Sequence, residues 1–199
     1  MVPASGEVQL PVELRQRLQA VFDLDEAPTT VDELLRVLAA SSLVPSPDEL
    51  CAAQVSRHRL RIGDRTLYMN CAMDALLFPL LTGEGAEVAS ESPVSGSVVT
   101  ASVSSKGIEF EPPEAVVSFG AARDPGVTDL LDALCPYINA FASAVEYETW
   151  AARSHEAVTV MLPLAEAYAL ARAVVPGSQR VGVREHRGGM TSGPLPPAT

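Results

Sequence analysis

Leu67-Tyr68-Met69-Asn70-Cys71-Ala72-Met73-Asp74-Ala75-Leu76-Leu77-Phe78-Pro79 is the stretch on which the reading of this chain turns. From Ala72 to Leu81 the chain is rich in Ala, Met and Leu, all good helix formers, so a helix is predicted there. Pro79 is expected to kink or end it, and Gly83 or Gly85 to close it. Cys71 then lies at the helix N-terminus with Asp74 in the first turn. Their spacing is nearly one turn, so the thiol and the carboxylate share a face. The unpaired amides and the helix dipole favour a thiolate at Cys71, which predicts a lowered pKa. These residues alone leave a plainer alternative open. Cysteine is often only buried filler, and an Asp in a first turn is often only a cap.

Upstream, His58-Arg59-Leu60-Arg61-Ile62 alternates like a strand, and Gly63-Asp64 turns it into Arg65 to Met69. Before that hairpin, Leu14, Leu18, Val21 and Phe22 recur at helical spacing over 12–22. Thr30-Val31-Asp32-Glu33 reads as a capping box opening a second helix through Leu34, Leu35 and Leu38. Ser46-Pro47-Asp48-Glu49 is another, opening a third helix expected to run to about Val55. Three short helices and a hairpin resemble a winged helix-turn-helix. The presumed recognition helix carries Asp48 and Glu49 and no Lys or Arg, so it offers nothing to phosphate or guanine. Cys51, on that third helix, is read as structural.

Downstream, Gly85–Ser92, Val98–Val103, Ile108–Glu111 and Ala115–Phe119 read as short strands separated by turn signals, the pattern of an antiparallel sheet. A short helix over 129–134 delivers Cys135. Pro136 biases Cys135 toward an extended conformation in a loop. A helix over 144–150, a buried strand over 158–162 and a helix from Leu164 to Val175 follow. The three histidines, at 58, 155 and 186, lack zinc-site spacing. The predicted fold class is α+β. A winged-helix-like helical bundle (1–57) precedes a domain (58–176) whose antiparallel or mixed sheet is flanked by helices. A flexible tail (177–199) ends the chain.

The 199 residues suffice for a substantial core, and 47% hydrophobic with 20% charged is a globular composition. A net charge of −11 argues against nucleic acid as a partner. Three cysteines do not make a disulfide framework, so the cytoplasm is the expected compartment. No signal peptide is visible, and no apolar run reaches roughly 18 residues, so no membrane association is expected.

Arg65-Thr66-Leu67-Tyr68, then Cys71 to Pro79, then Cys135 followed by Phe141-Ala142-Ser143 and Trp150, resemble the organomercurial (alkylmercury) lyase family. The likeness covers about Arg65 to Val175, and more weakly the helical N-terminus. Cys135 stands 64 residues on from Cys71 (71 to 135), a separation that also fits.

The resemblance implies protonolytic cleavage of a carbon–mercury bond, giving a hydrocarbon and mercuric ion. Cys71 and Cys135 would be the mercury-binding thiols and Asp74 the proton-handling carboxylate. No organic cofactor is implied. Free thiols would be needed for turnover, with cellular thiols or a mercuric reductase accepting the metal. Soft-metal chemistry agrees, because mercury selects thiolates. Where some family members carry a further cysteine, this chain has Ser92. Two other functions stay open. One is a repurposed or non-catalytic relative that binds metal through thiolates or cleaves another carbon–heteroatom bond in specialised metabolism. The other is a winged-helix regulator that senses metal through its cysteines.

Overall fold

A computed structural model describes residues 8–40 and 44–175; the predicted tail over 177–199 lies outside them. In chain order the elements are α1 (Val12–Val21), α2 (Val31–Ala40), α3 (Pro47–Leu50), β1 (His58–Ile62), β2 (Arg65–Met69) and α4 (Ala72–Thr82). There follow β3 (Ala86–Glu91), β4 (Val98–Ser104), β5 (Gly107–Glu111), β6 (Val116–Ala122) and α5 (Leu130–Leu134). A 3-10 turn (Cys135–Tyr137), β7 (Ala140–Phe141), α6 (Ala144–Ala151), β8 (Ala157–Pro163) and α7 (Leu164–Val174) complete the fold. The architecture is α+β, with two antiparallel sheets ordered β2-β1-β3-β4-β5 and β7-β6-β8.

The five-stranded sheet alternates as its sequence does. Leu60, Val88, Val99, Ala101 and Val103 are buried, while the residues between them face out. That is the signature of a sheet with one covered face. α4 covers it, with α7 on the other side of α4. Enclosed from both sides, α4 buries Ala75, Leu76, Leu77, Phe78, Pro79 and Leu80. A helix apolar all round belongs in such a place. The expected break at Pro79 does not occur. The helix continues to Thr82, and Gly83 closes it in the left-handed conformation at φ 72°. Packing on both faces outweighs the one backbone hydrogen bond that proline removes. The Thr82 hydroxyl donates to the Phe78 carbonyl, 3.1 Å away.

Every residue of β6 is buried, because β7 and β8 flank it and helices cover it. Gly120 sits where β6 meets β8 most closely. A Cβ there would collide with the Thr159 side chain and the Val158 carbonyl. The N-terminal helices are tied to this sheet by buried Arg17. Its guanidinium donates to the carbonyls of Ala122 (2.7 Å) and Val127 (2.8 Å).

Two local expectations change. The Glu33 carboxylate closes the second helix's cap on Thr29, one residue before the expected partner, while the Thr30 hydroxyl accepts from the Glu33 amide as expected. The third helix stops at Leu50 instead of running on toward Val55. There the backbone turns to pair with the end of β2. Ala52 N–H donates to the Tyr68 carbonyl at 2.7 Å and Asn70 N–H to the Leu50 carbonyl at 3.0 Å. Helix propensity in Ala52-Ala53-Gln54 loses to a tertiary backbone pairing.

His58 and Ser90 are cross-strand partners between β1 and β3, with Nδ1 3.1 Å from the hydroxyl. Burial, then Arg57, depresses the imidazole to about 4. A depressed histidine contributes stability that is present above its unfolded value, near 6.5, and is lost as pH falls toward 4. Acidification from pH 7 to 4.5 is therefore expected to lower wild-type stability relative to His58→Asn by up to roughly 3 kcal/mol. Urea unfolding of both proteins across that range checks this. Parallel pH dependences would refute it.

Candidate active site

Cys71 caps α4. Its backbone is extended (φ −148°, ψ 176°), and Asp74 N–H donates to its sulfur at 3.4 Å. The helix N-terminus docks on the segment that follows the second cysteine. Ala72 N–H, one of the amides with no partner inside the helix, donates to the Ile138 carbonyl at 3.0 Å. That segment is held in turn by β6. Ser118 is fully buried; its hydroxyl donates to the Tyr137 carbonyl (2.8 Å) and accepts from Asn139 N–H (2.9 Å). Ser118 N–H donates to the Asn139 carbonyl at 2.9 Å. The Asn139 side-chain amide closes the turn on the Pro136 carbonyl at 3.0 Å.

Cys135 is not extended. It lies in the helical region (φ −59°, ψ −38°), where α5 runs into the 3-10 turn. Asp129 caps α5 by accepting from Leu131 and Asp132 N–H. Pro136 then falls in the first turn of the 3-10 segment, where its missing N–H leaves no hydrogen bond unmade. Turn continuity prevails over the usual bias of a residue that precedes proline.

The result is a three-membered cluster. The two sulfurs and a carboxylate oxygen of Asp74 all lie within 4.8 Å of one another, and the Cys135 thiol is 3.7 Å from Asp74 Oδ2. Cys71 is 1% exposed and Asp74 7%, while Cys135 is half-buried and faces a cavity of about 490 Å³. A zinc–thiolate bond is about 2.3 Å and mercury is larger, so sulfurs this close can straddle one ion with little movement.

The lowered thiol pKa expected at Cys71 is reversed. Burial, joined by contact with Cys135 and Asp74, drives the thiol well above its usual range, and the Asp74 amide opposes this only weakly. Desolvation exceeds the helix-end effect, so the proton stays on sulfur. Burial also lifts the Asp74 carboxyl to about 6, opposed by hydrogen bonds from both thiols and Asn70.

The walls come from elements that sequence periodicity marks only as core. Phe22 at the end of α1, Leu38 of α2, Leu50 of α3, Leu77 of α4, Phe119 of β6, Leu134 of α5 and Leu170 of α7 all line the cavity. Ser118 and Asn139, which position the second cysteine, also went unmarked by the sequence. A lone serine inside an apolar strand run is the one local sign of the first. Cys51 lies apart from the cluster; its thiol donates to the Pro47 carbonyl at 3.5 Å. Ser92 is buried, and its hydroxyl accepts from Val94 N–H in the turn after β3.

Two outcomes are expected. Ser118→Ala leaves the Tyr137 carbonyl and Asn139 N–H without that partner. It should lower stability by about 1–3 kcal/mol and weaken bidentate thiol capture of mercuric ion, read by thermal unfolding and by competition with small dithiols. Unchanged capture would show that Ser118 does not hold Cys135. For Asp74, a raised carboxyl pKa contributes stability that is present below about 3.8 and is lost as pH rises through about 6. Asp74→Asn should therefore exceed wild type by up to roughly 3 kcal/mol at pH 7.5, the gap closing toward pH 4. A gap that widens on acidification would contradict this.

The MerB alkylmercury lyase family model matches residues 52–176. Over 192 residues the chain is 28% identical to the alkylmercury lyase of Staphylococcus epidermidis, covering 95% of this chain and 77% of that protein. Over 170 residues it is 31% identical to the alkylmercury lyase of Streptomyces lividans, covering 85% and 71%. Among solved structures, the mercury-bound form of MerB2 superposes with a TM-score of 0.51 at 15% identity, over 83% of this chain and 91% of that one, a likeness of fold. With the matched region spanning both cysteines and the aspartate between them, the chain belongs to the alkylmercury lyase family.

Proposed function

We propose that the protein is an organomercurial lyase that cleaves a carbon–mercury bond by protonolysis. Family membership supports the reaction. The single observation that carries the site is two thiols and one carboxyl within 4.8 Å at the foot of an apolar cavity. In this reading R–Hg–X enters along the cavity and mercury meets Cys135, the more exposed thiol. The Cys135 proton passes to Asp74, 3.7 Å away. Cys71 then bonds to the same mercury and gives up its own proton. Two sulfur donors raise electron density on the metal and make the attached carbon more basic. Asp74, with a carboxyl pKa near 6, returns a proton to that carbon as general acid.

The balance closes. One carbon–mercury, one mercury–X and two S–H bonds break; one C–H and two Hg–S bonds form. The second proton leaves with X⁻, and mercuric ion stays on the two sulfurs. No oxidation state changes, so neither an organic cofactor nor a redox partner is required for cleavage. Release of a bis-thiolate metal needs competing thiols, which assigns cellular thiols or a mercuric reductase as acceptors and the cytoplasm as the compartment. Among the described residues no helix is long and apolar enough to cross a membrane. In the winged-helix-like reading of the N-terminal region, its place in this reaction is to enclose substrate through Phe22, Leu38 and Leu50.

Incubation with phenylmercury and excess thiol should release benzene stoichiometrically with thiol-bound mercuric ion. Cys135→Ala and Asp74→Ala should each lower kcat/KM by at least about 100-fold. No benzene from wild type refutes the lyase, and an unimpaired variant refutes that residue's role. Asp74 must be ionised in the free protein to take the first proton, so kcat/KM should rise between pH 5 and 7 with an apparent pKa of about 6. A profile flat across that interval would remove Asp74 from proton transfer.

A further inference from the structure

The early end of α3 leaves acceptors beside the site. A helix has no partners of its own for its last carbonyls, and here those of Glu49 and Leu50 are both taken by one residue, Asn70. Its backbone N–H donates to the Leu50 carbonyl at 3.0 Å and its side-chain amide to the Glu49 carbonyl at 2.8 Å. Asn70 directly precedes Cys71, and the same side-chain amide donates to the Asp74 carboxylate. An asparagine amide carries two N–H groups. One braces the side chain on α3 while the other reaches the acid of the cluster. Glu49, Leu50, Cys71 and Asp74 line the cavity; Asn70 is not among the lining residues, so it acts on the site through Asp74.

Among the described residues the Asp74 carboxylate accepts from both thiols, from Cys71 N–H and from the Asn70 amide. The Cys71 N–H bond makes the helix cap reciprocal, since Asp74 N–H in turn meets the Cys71 sulfur. These donors do not last equally. Sulfurs that bind mercury give up the protons that bonded Asp74, and each turns from a donor into an electron-rich neighbour. The two amides carry N–H groups that no metal displaces. We infer that Asn70 is a positioning residue: braced on the Glu49 carbonyl, its amide keeps the Asp74 carboxyl aimed at the cluster after metal has displaced the thiol protons. The inference rests on the lyase reading for the step it serves. A carboxyl that returns a proton to the carbon on mercury needs a fixed orientation at that moment, when its thiol partners are gone.

The test separates cleavage from metal capture in Asn70→Ala and in the near-isosteric Asn70→Leu, both on the full chain. In a single turnover of phenylmercury with protein in excess, benzene release should slow at least about tenfold in each variant. Capture of mercuric ion by the two thiols, read by competition with small dithiols, should stay within about twofold of wild type. Cleavage within about twofold of wild type overturns the inference. So does a parallel loss of capture and cleavage, which would make Asn70 a support of the fold alone. A second readout needs no catalysis. In protein loaded with mercuric ion, three-bond couplings across Asp74 χ1 should report one rotamer in wild type and averaging in the variants. An Asp74 as fixed in the variants as in wild type overturns the inference, and an averaged Asp74 in loaded wild type does so without any variant. If wild type releases no benzene, the lyase reading fails on its own, and the couplings then decide the positioning.

Discussion

The hydrogen bond from Ala72 N–H to the Ile138 carbonyl is the contact on which this site depends. It joins the first turn of the central helix to the chain just past Cys135, across more than sixty residues of sequence. A helix N-terminus must place its leading amides somewhere. Here one is satisfied by the second cysteine's own segment, so the start of α4 and that segment are held to each other. Ser118 completes the arrangement from β6, using hydroxyl and amide to fix the same segment. The segments that carry the two cysteines are therefore held together by backbone and buried-serine hydrogen bonds.

The cluster so formed is in tension with the fold around it. A carboxyl and a thiol are placed where water is nearly absent, and burial raises both. That opposes the ionised state the helix end would otherwise favour. In the proposed reaction it also supplies what protonolysis needs: thiol protons retained until a metal displaces them, and a neighbouring carboxyl able to hold one near neutral pH. Soft-metal binding supplies the driving force for the displacement.

The cavity above the cluster draws on distant parts of the chain: α4, the end of α1, α2, α3, β6, α5 and α7 all contribute lining residues. Arg17 links the N-terminal helices to the strand end beside α5. A helical N-terminal region that on sequence grounds resembles a winged helix-turn-helix, without the basic residues that DNA contact needs, contributes part of the cavity wall.

Much of the local structure was written in the sequence. The turn at Gly63-Asp64, the alternating strands, the Ser46–Glu49 capping box and the apolar run after Cys71 each act over a few residues, and each appears as read. The pairing of Cys71 with Asp74 was likewise determined locally, because helical periodicity places them on one face. What lay beyond local rules was decided by tertiary structure. α3 ends early because β2 offers backbone partners; α4 survives Pro79 because it is packed on both faces; Cys135 turns helical because α5 continues through it. The Cys71 thiol is raised because depth of burial is a property of the assembled fold, invisible to a reading of neighbours. The sequence by itself determined which groups could do chemistry. Only the tertiary structure decided that they meet, in what protonation state, and behind which walls, since contacts across long chain separations and desolvation depend on residues that no local pattern brings together.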